Sequence, residues 1–264
     1  MDPFERRKIG DTGVSVTALG LGGAPLGGTT HSEALAIIRR AHVLGIRYFD
    51  PAPVYGLGRS ESRYGGALTG FPADSYSIST KAGRLLKPVQ NSDRTSIDDD
   101  GFPTLRPMFD LSRDGILRSL EESLERLNLD SVDILYLHDP DGDRQMVTKP
   151  EVGQGMENEA MATAFPTMIE LREQGIVKAI GCGMNQWQMP ARFIRAFDLD
   201  IVLLAGRFTL LDHDAYDEFL PLCLERNVKL AIGGPYNSGI LARDLDGPVI
   251  FNYELAPPEL VDRA

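Results

Sequence analysis

The sequence predicts an α/β fold in which parallel strands form a sheet and helices cross between them. Short apolar runs typical of buried strands alternate with amphipathic helix patterns along most of the 264 residues. Several of these runs end on, or just before, a polar side chain suited to catalysis, as expected at the carboxyl edge of a parallel sheet. Hydrophobic residues make up 42% of the chain and charged residues 25%, which is ordinary for one globular α/β domain.

A β-hairpin is predicted first, around the turn Gly10-Asp11-Thr12-Gly13. Seven barrel-type strands are then predicted, and they cover residues 16–22, 45–50, 76–81, 132–138, 176–181, 201–205 and 229–233. Thr30 and Glu33 form a capping box that begins a helix, Ser112 caps another, and Pro190 suits the first turn of a third. The remaining helices are predicted near residues 61–68, 165–174 and 216–226. Irregular segments at 82–111 and 139–162 follow the third and fourth strands, so both should shape a substrate pocket.

Charge and cysteine usage exclude several classes of protein. The net charge of −11 disfavours nucleic acid and anionic membranes as partners. Cys182 and Cys223 fall in separate elements, which predicts no disulfide framework and no metal site and fits a reducing cytoplasm. The N-terminus lacks the apolar stretch of a signal peptide, and no apolar run approaches transmembrane length.

Nucleotide-binding and hydrolase motifs are missing from the sequence. Every near match to Gly-x-Gly-x-x-Gly lacks the last glycine, so a Rossmann fingerprint is not supported. Walker A, His-Glu-x-x-His, Cys-x-x-Cys and Gly-x-Ser-x-Gly patterns do not occur. Phosphoryl transfer, metal-dependent hydrolysis and serine-hydrolase chemistry therefore have no sequence support.

Asp50, Tyr55, Lys81 and His138 form a group compatible with proton transfer. A tyrosine has a pKa of about 10, and a neighbouring ammonium such as Lys81 lowers it. Asp50 would hold Lys81, and His138 would hydrogen-bond a carbonyl oxygen. Tyr55 would then move the proton while a cofactor supplies or accepts the hydride. Taken singly, each residue is more often explained by packing, helix capping, solvation or a structural hydrogen bond, and only their joint placement favours catalysis.

These residues lie in stretches that resemble the aldo-keto reductases. The resemblance is carried by residues 19–22, 48–56, 79–81 and 135–141, and by the N-terminal hairpin. Residues 178–187, 205–212 and 232–241 resemble one branch, the sugar 1-dehydrogenases acting on D-threo-aldose or L-fucose and the pyridoxal 4-dehydrogenases. The resemblance implies a (β/α)8 TIM barrel in one domain over residues 1–264. With seven strands assigned, we expect the eighth strand region to be lacking and the domain to be C-terminally incomplete.

The resemblance also implies roles for individual residues. The implied catalytic tetrad is Asp50, Tyr55, Lys81 and His138. A nicotinamide cofactor, NAD or NADP, would be bound by Gly22, Gly23, Asp50, Asn185, Pro235, Asn237 and Gly239. Substrate would contact Tyr55, His138, Phe109 and Trp187. For Trp187 a core-packing role stays open, and for the loop 235–239 a plain turn stays open.

The implied reaction interconverts an alcohol or aldose hemiacetal with a carbonyl or lactone. The substrate would be a small sugar, aldehyde or alcohol, and Tyr55 would be the acid or base. The alternatives are a non-catalytic nucleotide-binding regulatory module of the same fold and an inactive truncated member. The exact substrate, the choice between NAD and NADP, and the oligomeric state are left open.

Overall fold

The computed structural model describes residues 2–89, 102–142, 150–245, 247–252 and 254–264. Its strands are β1 (Arg6–Lys8), β2 (Ser15–Thr17), β3 (Leu21–Gly22), β4 (Tyr48–Asp50), β5 (Ser77–Ala82), β6 (Arg84–Pro88), β7 (Leu105–Phe109), β8 (Val132–His138), β9 (Val177–Met184), β10 (Ile201–Ala205), β11 (Lys229–Gly233), β12 (Ile250–Phe251) and β13 (Glu254–Leu255). Its α-helices are α1 (His31–Leu44), α2 (Arg59–Leu68), α3 (Arg113–Leu127), α4 (Pro150–Glu159), α5 (Phe165–Glu173), α6 (Gln188–Ala196), α7 (Phe219–Glu225) and α8 (Pro258–Val261). Short 3₁₀ turns cover Pro25–Gly27, Ala73–Ser75 and Asn237–Ala242, and a π-helical turn at Ala160–Ala164 joins α4 to α5.

A seven-stranded parallel sheet forms the centre of the molecule, in the order β11-β10-β9-β8-β5-β4-β3. The seven barrel strands predicted from the sequence are confirmed in number and order. Within the described ranges, no strand pairs with the outer edge of β3 or of β11. That one domain spans residues 1–264 and is C-terminally incomplete stays a prediction.

The amino end of the barrel is closed by the N-terminal hairpin. Strands β1 and β2 pair antiparallel, as predicted. Ile9, Val14 and Val16 from this hairpin are buried, and they form one cluster with the inward-facing Ile134 and Tyr136 of β8. Because the amino end is filled by these side chains, only the carboxyl ends of the strands are left to form a cavity.

Three expected segments differ from the structure. The predicted strand 16–22 is divided, since Val16 and Thr17 belong to the hairpin and only Leu21–Gly22 joins the barrel. The predicted irregular segment 82–111 contains an antiparallel ribbon, in which Arg84 pairs with Phe109. The predicted loop 139–162 is helical from residue 150. The remaining parts, 90–101 and 143–149, lie outside the described residues.

Local sequence signals explain where the helices begin. Thr30 accepts a hydrogen bond from the Glu33 backbone, and Glu33 reaches back to the Thr30 backbone, which completes the predicted capping box. Ser112 accepts from the Gly115 N–H at the start of α3. Buried apolar residues of the helices, such as Ile38 of α1, then pack on the outside of the sheet in one continuous core.

Gly181 permits the close approach of two barrel strands. A Cβ atom at this position would lie 1.6 Å from the carbonyl oxygen of Ile201 in β10. Any side chain there would separate β9 from β10.

The described helices include none that is long and apolar enough to span a bilayer.

Candidate active site

Three strands bring side chains at or next to their carboxyl ends to one edge of the barrel. Asp50 ends β4, Lys81 is the fifth residue of β5, and His138 ends β8. Tyr55 comes from the turns that follow β4. A cavity of about 350 Å³ opens there, and Tyr55, Lys81 and His138 all line it. Three of the four candidate residues therefore line one cavity, and the catalytic role of all four stays a prediction.

Lys81 and Asp50 form an ion pair inside the barrel. The Lys81 Nζ atom lies 2.9 Å from Asp50 Oδ1, 2.8 Å from Oδ2 and 3.1 Å from the Pro51 carbonyl oxygen. Burial lowers the pKa of the Lys81 amine, but the Asp50 carboxylate and Tyr55 outweigh it, so the pKa is raised overall. Lys81 is thus held as a cation at neutral pH.

Tyr55 places its ring beside this cation. The Lys81 Nζ atom lies 4.8 Å from the centroid of the Tyr55 ring. Burial raises the pKa of the Tyr55 phenol, and the Lys81 charge opposes this rise without cancelling it. The expected lowering of the pKa by the Lys81 ammonium is present, but burial outweighs it, so the pKa of the phenol is raised overall. The phenol is protonated at neutral pH.

His138 and Tyr55 both line the cavity, and their rings meet edge to face. The two ring centroids are 5.6 Å apart, and the planes are nearly perpendicular at 87°. Burial, Arg84 and Lys81 hold the pKa of His138 well below its ordinary value, so the imidazole is neutral. Its Nδ1 atom is buried and has no hydrogen-bond partner among the described residues. The imidazole therefore keeps hydrogen-bonding capacity for a bound molecule.

A chain of buried hydroxyls supports Asp50 from inside the barrel. The Ser79 hydroxyl lies 2.5 Å from Asp50 Oδ1 and 3.3 Å from the Tyr48 hydroxyl. The Tyr48 and Tyr136 hydroxyls are 2.9 Å apart. Ser79 and Lys81 face the same side of β5 because side chains alternate along a strand. Sequence analysis did not identify Ser79, Tyr48 or Tyr136 as parts of the site.

Arg84 and Asp139 are two further cavity residues that sequence analysis missed. Arg84 Nη2 lies 2.7 Å from Asp139 Oδ2, and Arg84 Nε donates to the His138 carbonyl oxygen at 3.3 Å. The same Asp139 oxygen lies 3.4 Å from His138 Nε2. An arginine three residues after the predicted strand 76–81 and an acid directly after the predicted strand 132–138 were the available signals. Neither position carries a motif in isolation.

Three positions expected to contact the nicotinamide, Asn185, Gly22 and Gly23, have different surroundings in the structure. Asn185 lines the cavity together with Met184 and Ala205. Gly22 is exposed at the end of β3, and a Cβ atom there would meet open space. Gly23 is packed instead, with its N–H donating to the Asp50 carbonyl oxygen at 2.9 Å. Asn185 thus faces the cavity, Gly22 leaves open space at the end of β3, and Gly23 supports Asp50 through its backbone.

The loop 235–239 is a compact turn in the structure. Asn237 is buried, and its side chain donates to the Gly206 carbonyl oxygen at 3.0 Å and accepts from Thr209 at 2.5 Å. The backbone N–H groups of Asn237 and Gly239 already donate within the loop. Pro235 is exposed. A role for this loop in binding a pyrophosphate stays a prediction. Its hydrogen bonds in the structure are those of the plain turn that was left open as the alternative.

The two aromatic residues expected in the substrate pocket lie outside the cavity lining that the described residues form. Phe109 stacks under Arg84, with the guanidinium carbon 4.7 Å from its ring centroid. Trp187 donates from Nε1 to Asp214 at 2.7 Å, and its ring lies 6.2 Å from that of Phe219. Trp187 therefore has the core-packing contacts of the alternative left open above. Phe109 does not line the cavity itself, but its ring packs against Arg84, which does.

Comparison with known proteins gives one consistent result. The profile of the Aldo/keto reductase family matches residues 18–257. A pyridoxal 4-dehydrogenase from Microbacterium luteolum is 39% identical over 98% of this chain and 78% of its own length. A D-threo-aldose 1-dehydrogenase from a Pseudomonas species is also 39% identical, over 95% of this chain and 75% of its own length. An aldo-keto reductase structure from Bacillus halodurans shares the fold, with a TM-score of 0.69 at 23% identity over 94% of this chain and 73% of that one.

Proposed function

Because the chain belongs to the Aldo/keto reductase family of NAD(P)-dependent oxidoreductases, we propose that it oxidises the hemiacetal carbon of a free aldose or of a pyridoxal-like molecule. The product of the aldose reaction would be a lactone. The names of the two relatives at 39% identity support this choice of substrates. The single observation that carries the proposal is the placement of the Lys81 cation against both Asp50 and the Tyr55 ring at one cavity wall.

Tyr55 is the acid or base of the proposed reaction. In the reducing direction its neutral phenol donates a proton to the oxygen atom as a hydride reaches the carbon. In oxidation the same proton returns from the substrate hydroxyl to a Tyr55 phenolate, which the Lys81 cation stabilises. Because burial raises the pKa of Tyr55, oxidation should speed up as pH rises into the alkaline range.

Lys81, Asp50 and His138 have separate tasks in this proposal. Lys81 supplies the positive charge beside Tyr55, and Asp50 fixes that charge in position with both carboxylate oxygens. His138 is neutral, so it orients the substrate oxygen as a hydrogen-bonding partner and not as a proton source. Charge, orientation and proton transfer are thereby divided among different side chains.

The nicotinamide end of a dinucleotide cofactor would enter this cavity beside Asn185. Asn185 would hold the carboxamide, and exposed Gly22 would lie along the ring, since no side chain occupies that space. When bound, the nucleotide supplies the hydride acceptor or donor that no side chain provides. The two cysteines are free and buried, which supports a reducing, cytoplasmic location.

A substrate panel tests the proposed function. The full chain is incubated with NAD or NADP and with L-fucose, other free aldoses or pyridoxal, and the absorbance of reduced nicotinamide is followed. Simple aldehydes are tested with NADH and NADPH in the reverse direction. We expect turnover with at least one aldose or with pyridoxal. Nucleotide binding without turnover of any of these compounds would contradict the proposal and favour a non-catalytic binding module.

A further inference from the structure

An ion pair between Arg84 and Asp139 forms part of the cavity wall beside His138. The two side chains are 12% and 10% exposed, and both line the cavity with Tyr55. Their Nη2–Oδ2 distance is 2.7 Å. No step of the proposed proton transfer uses the pair. Its position next to the reacting groups nevertheless places it against any molecule that occupies the cavity.

The pair is held in place by several independent contacts. Arg84 Nε donates to the His138 carbonyl oxygen, and its guanidinium lies over the Phe109 ring. Asp139 has a φ of 42°, a left-handed conformation that few non-glycine residues adopt and that Asp tolerates better than most. Its backbone N–H donates to the Gly183 carbonyl oxygen at 3.0 Å. The carboxylate is therefore fixed toward Arg84 at the cost of an uncommon backbone conformation.

The pair also determines the charge that a ligand meets. Lys81 and Arg84 are the cations among the described cavity residues, and each is bound to a carboxylate, that of Asp50 or of Asp139. Among the described cavity residues, an anionic ligand would therefore find no uncompensated cation and would meet the Asp139 carboxylate. A hydroxyl group, in contrast, can accept from a guanidinium and donate to a carboxylate.

We propose that the Arg84–Asp139 pair is a specificity element that makes this cavity select an uncharged, hydroxyl-bearing molecule over an anion. The inference rests on the proposed function for the location of the substrate, and it adds the charge class of that substrate and the residues that enforce it. Phosphorylated sugars and sugar acids are rejected on this account. The free polyhydroxylated compound is accepted.

Equilibrium binding of galactitol and galactonate tests this inference, since the two probes share a carbon skeleton and differ by one carboxylate. Both are titrated calorimetrically into the full chain, with and without NAD. We expect the wild type to bind galactitol at least tenfold more tightly. Asp139→Asn keeps the side-chain shape and tolerates the positive φ, but leaves Arg84 without its counter-charge. The ratio of galactitol affinity to galactonate affinity should fall about tenfold in this variant, as expected for one charge at short range in a partly buried site.

Two further variants control for the overall charge and for folding. Glu170→Gln makes the same charge change at the exposed Arg113–Glu170 pair, so its binding ratio should equal that of the wild type. Arg84→Met removes the guanidinium N–H donors but keeps a long, unbranched side chain. It should weaken galactitol binding about tenfold. This second variant keeps the inference testable if Asp139→Asn does not fold.

The outcomes separate this inference from the proposed function. Equal affinity of the wild type for both probes, no detectable binding of galactitol, or an unchanged ratio in Asp139→Asn would overturn the inference. Galactitol binding unaffected by Arg84→Met would overturn it as well. The titration does not depend on turnover, so a catalytically silent protein would contradict only the proposed function. An active dehydrogenase with an unchanged ratio would contradict only the charge selection.

Discussion

Lys81 Nζ contacts both carboxylate oxygens of Asp50, at 2.9 and 2.8 Å, in a part of the barrel where Lys81 is only 1% exposed. A buried pair of this kind contributes little net stability, because removing both charges from water offsets their attraction. Breaking it from one side leaves an uncompensated charge. The arrangement is therefore explained by the cation it presents to Tyr55 more readily than by stability.

Lys81→Met should both inactivate and destabilise the protein. It leaves the buried Asp50 carboxylate without its cation, which typically costs about 3–5 kcal/mol in free energy of unfolding. The double variant Lys81→Met/Asp50→Asn should recover much of that stability and none of the activity. Urea denaturation and steady-state rates measure the two effects. Lys178→Met, which breaks the more exposed pair with Asp133, is the control and should cost about 1 kcal/mol or less. A double variant no more stable than the single one would contradict the argument.

Ser79→Ala should lower both stability and turnover. It removes the hydroxyl that lies 2.5 Å from Asp50 Oδ1, and loss of a hydrogen bond to a charged group costs about 1.5–3 kcal/mol. Turnover should fall because the Asp50 carboxylate, and with it Lys81, is less well fixed. Ser119→Ala is a matched control, since the Ser119 hydroxyl is buried on α3 without a hydrogen-bond partner among the described residues. Thermal melts and kcat of the two variants should differ clearly, and equal effects would contradict a supporting role for Ser79.

The protein should lose stability on mild acidification because of His138. Its folded-state pKa is well below the unfolded value of about 6.5, so the unfolded chain binds the proton first. The stability that His138 contributes is present above about pH 6.5 and is lost as pH falls, at up to about 1.4 kcal/mol per pH unit. His138→Gln should flatten this dependence in denaturation measured between pH 5 and 8. His42, whose pKa burial and Arg47 also lower, should maintain part of the slope. An unchanged slope in His138→Gln would show that the imidazole is not held neutral.

The placement of the four candidate residues could be predicted from the sequence because each lies at or just beyond a strand whose apolar pattern is easily recognised. Parallel strands then bring Asp50, Lys81 and His138 to one edge, whatever the details of packing. The helix caps at Thr30 and Ser112 were equally predictable, because a cap depends on residues close in sequence. These features are local in origin, and the resemblance to a family added the assignment of roles.

Other parts of the site depend on contacts that the sequence pattern does not contain. The Arg84–Asp139 pair joins residues 55 positions apart, and its formation requires the ribbon β6–β7 to be in place. The hydroxyl chain through Tyr48 and Ser79 depends on strand register inside the barrel. Helix α4 was missed because Gly153 and Gly155 disfavour a helix when propensity alone is considered. The lowered pKa expected for Tyr55 ignored burial, which can be judged only in the folded chain.

The most direct test of the account is the turnover of Tyr55→Phe beside that of the wild type, on whichever aldose or pyridoxal the panel identifies. The substitution removes only the phenolic hydroxyl. It should reduce kcat by at least about a hundredfold, within the usual range of about 10²–10⁴ for a positioned acid or base, while nucleotide affinity measured by fluorescence titration barely changes. Tyr76→Phe, which alters a tyrosine just before the amino end of β5, should retain near-normal turnover. Near-normal turnover in Tyr55→Phe would mean that another group transfers the proton, and the central claim would be wrong.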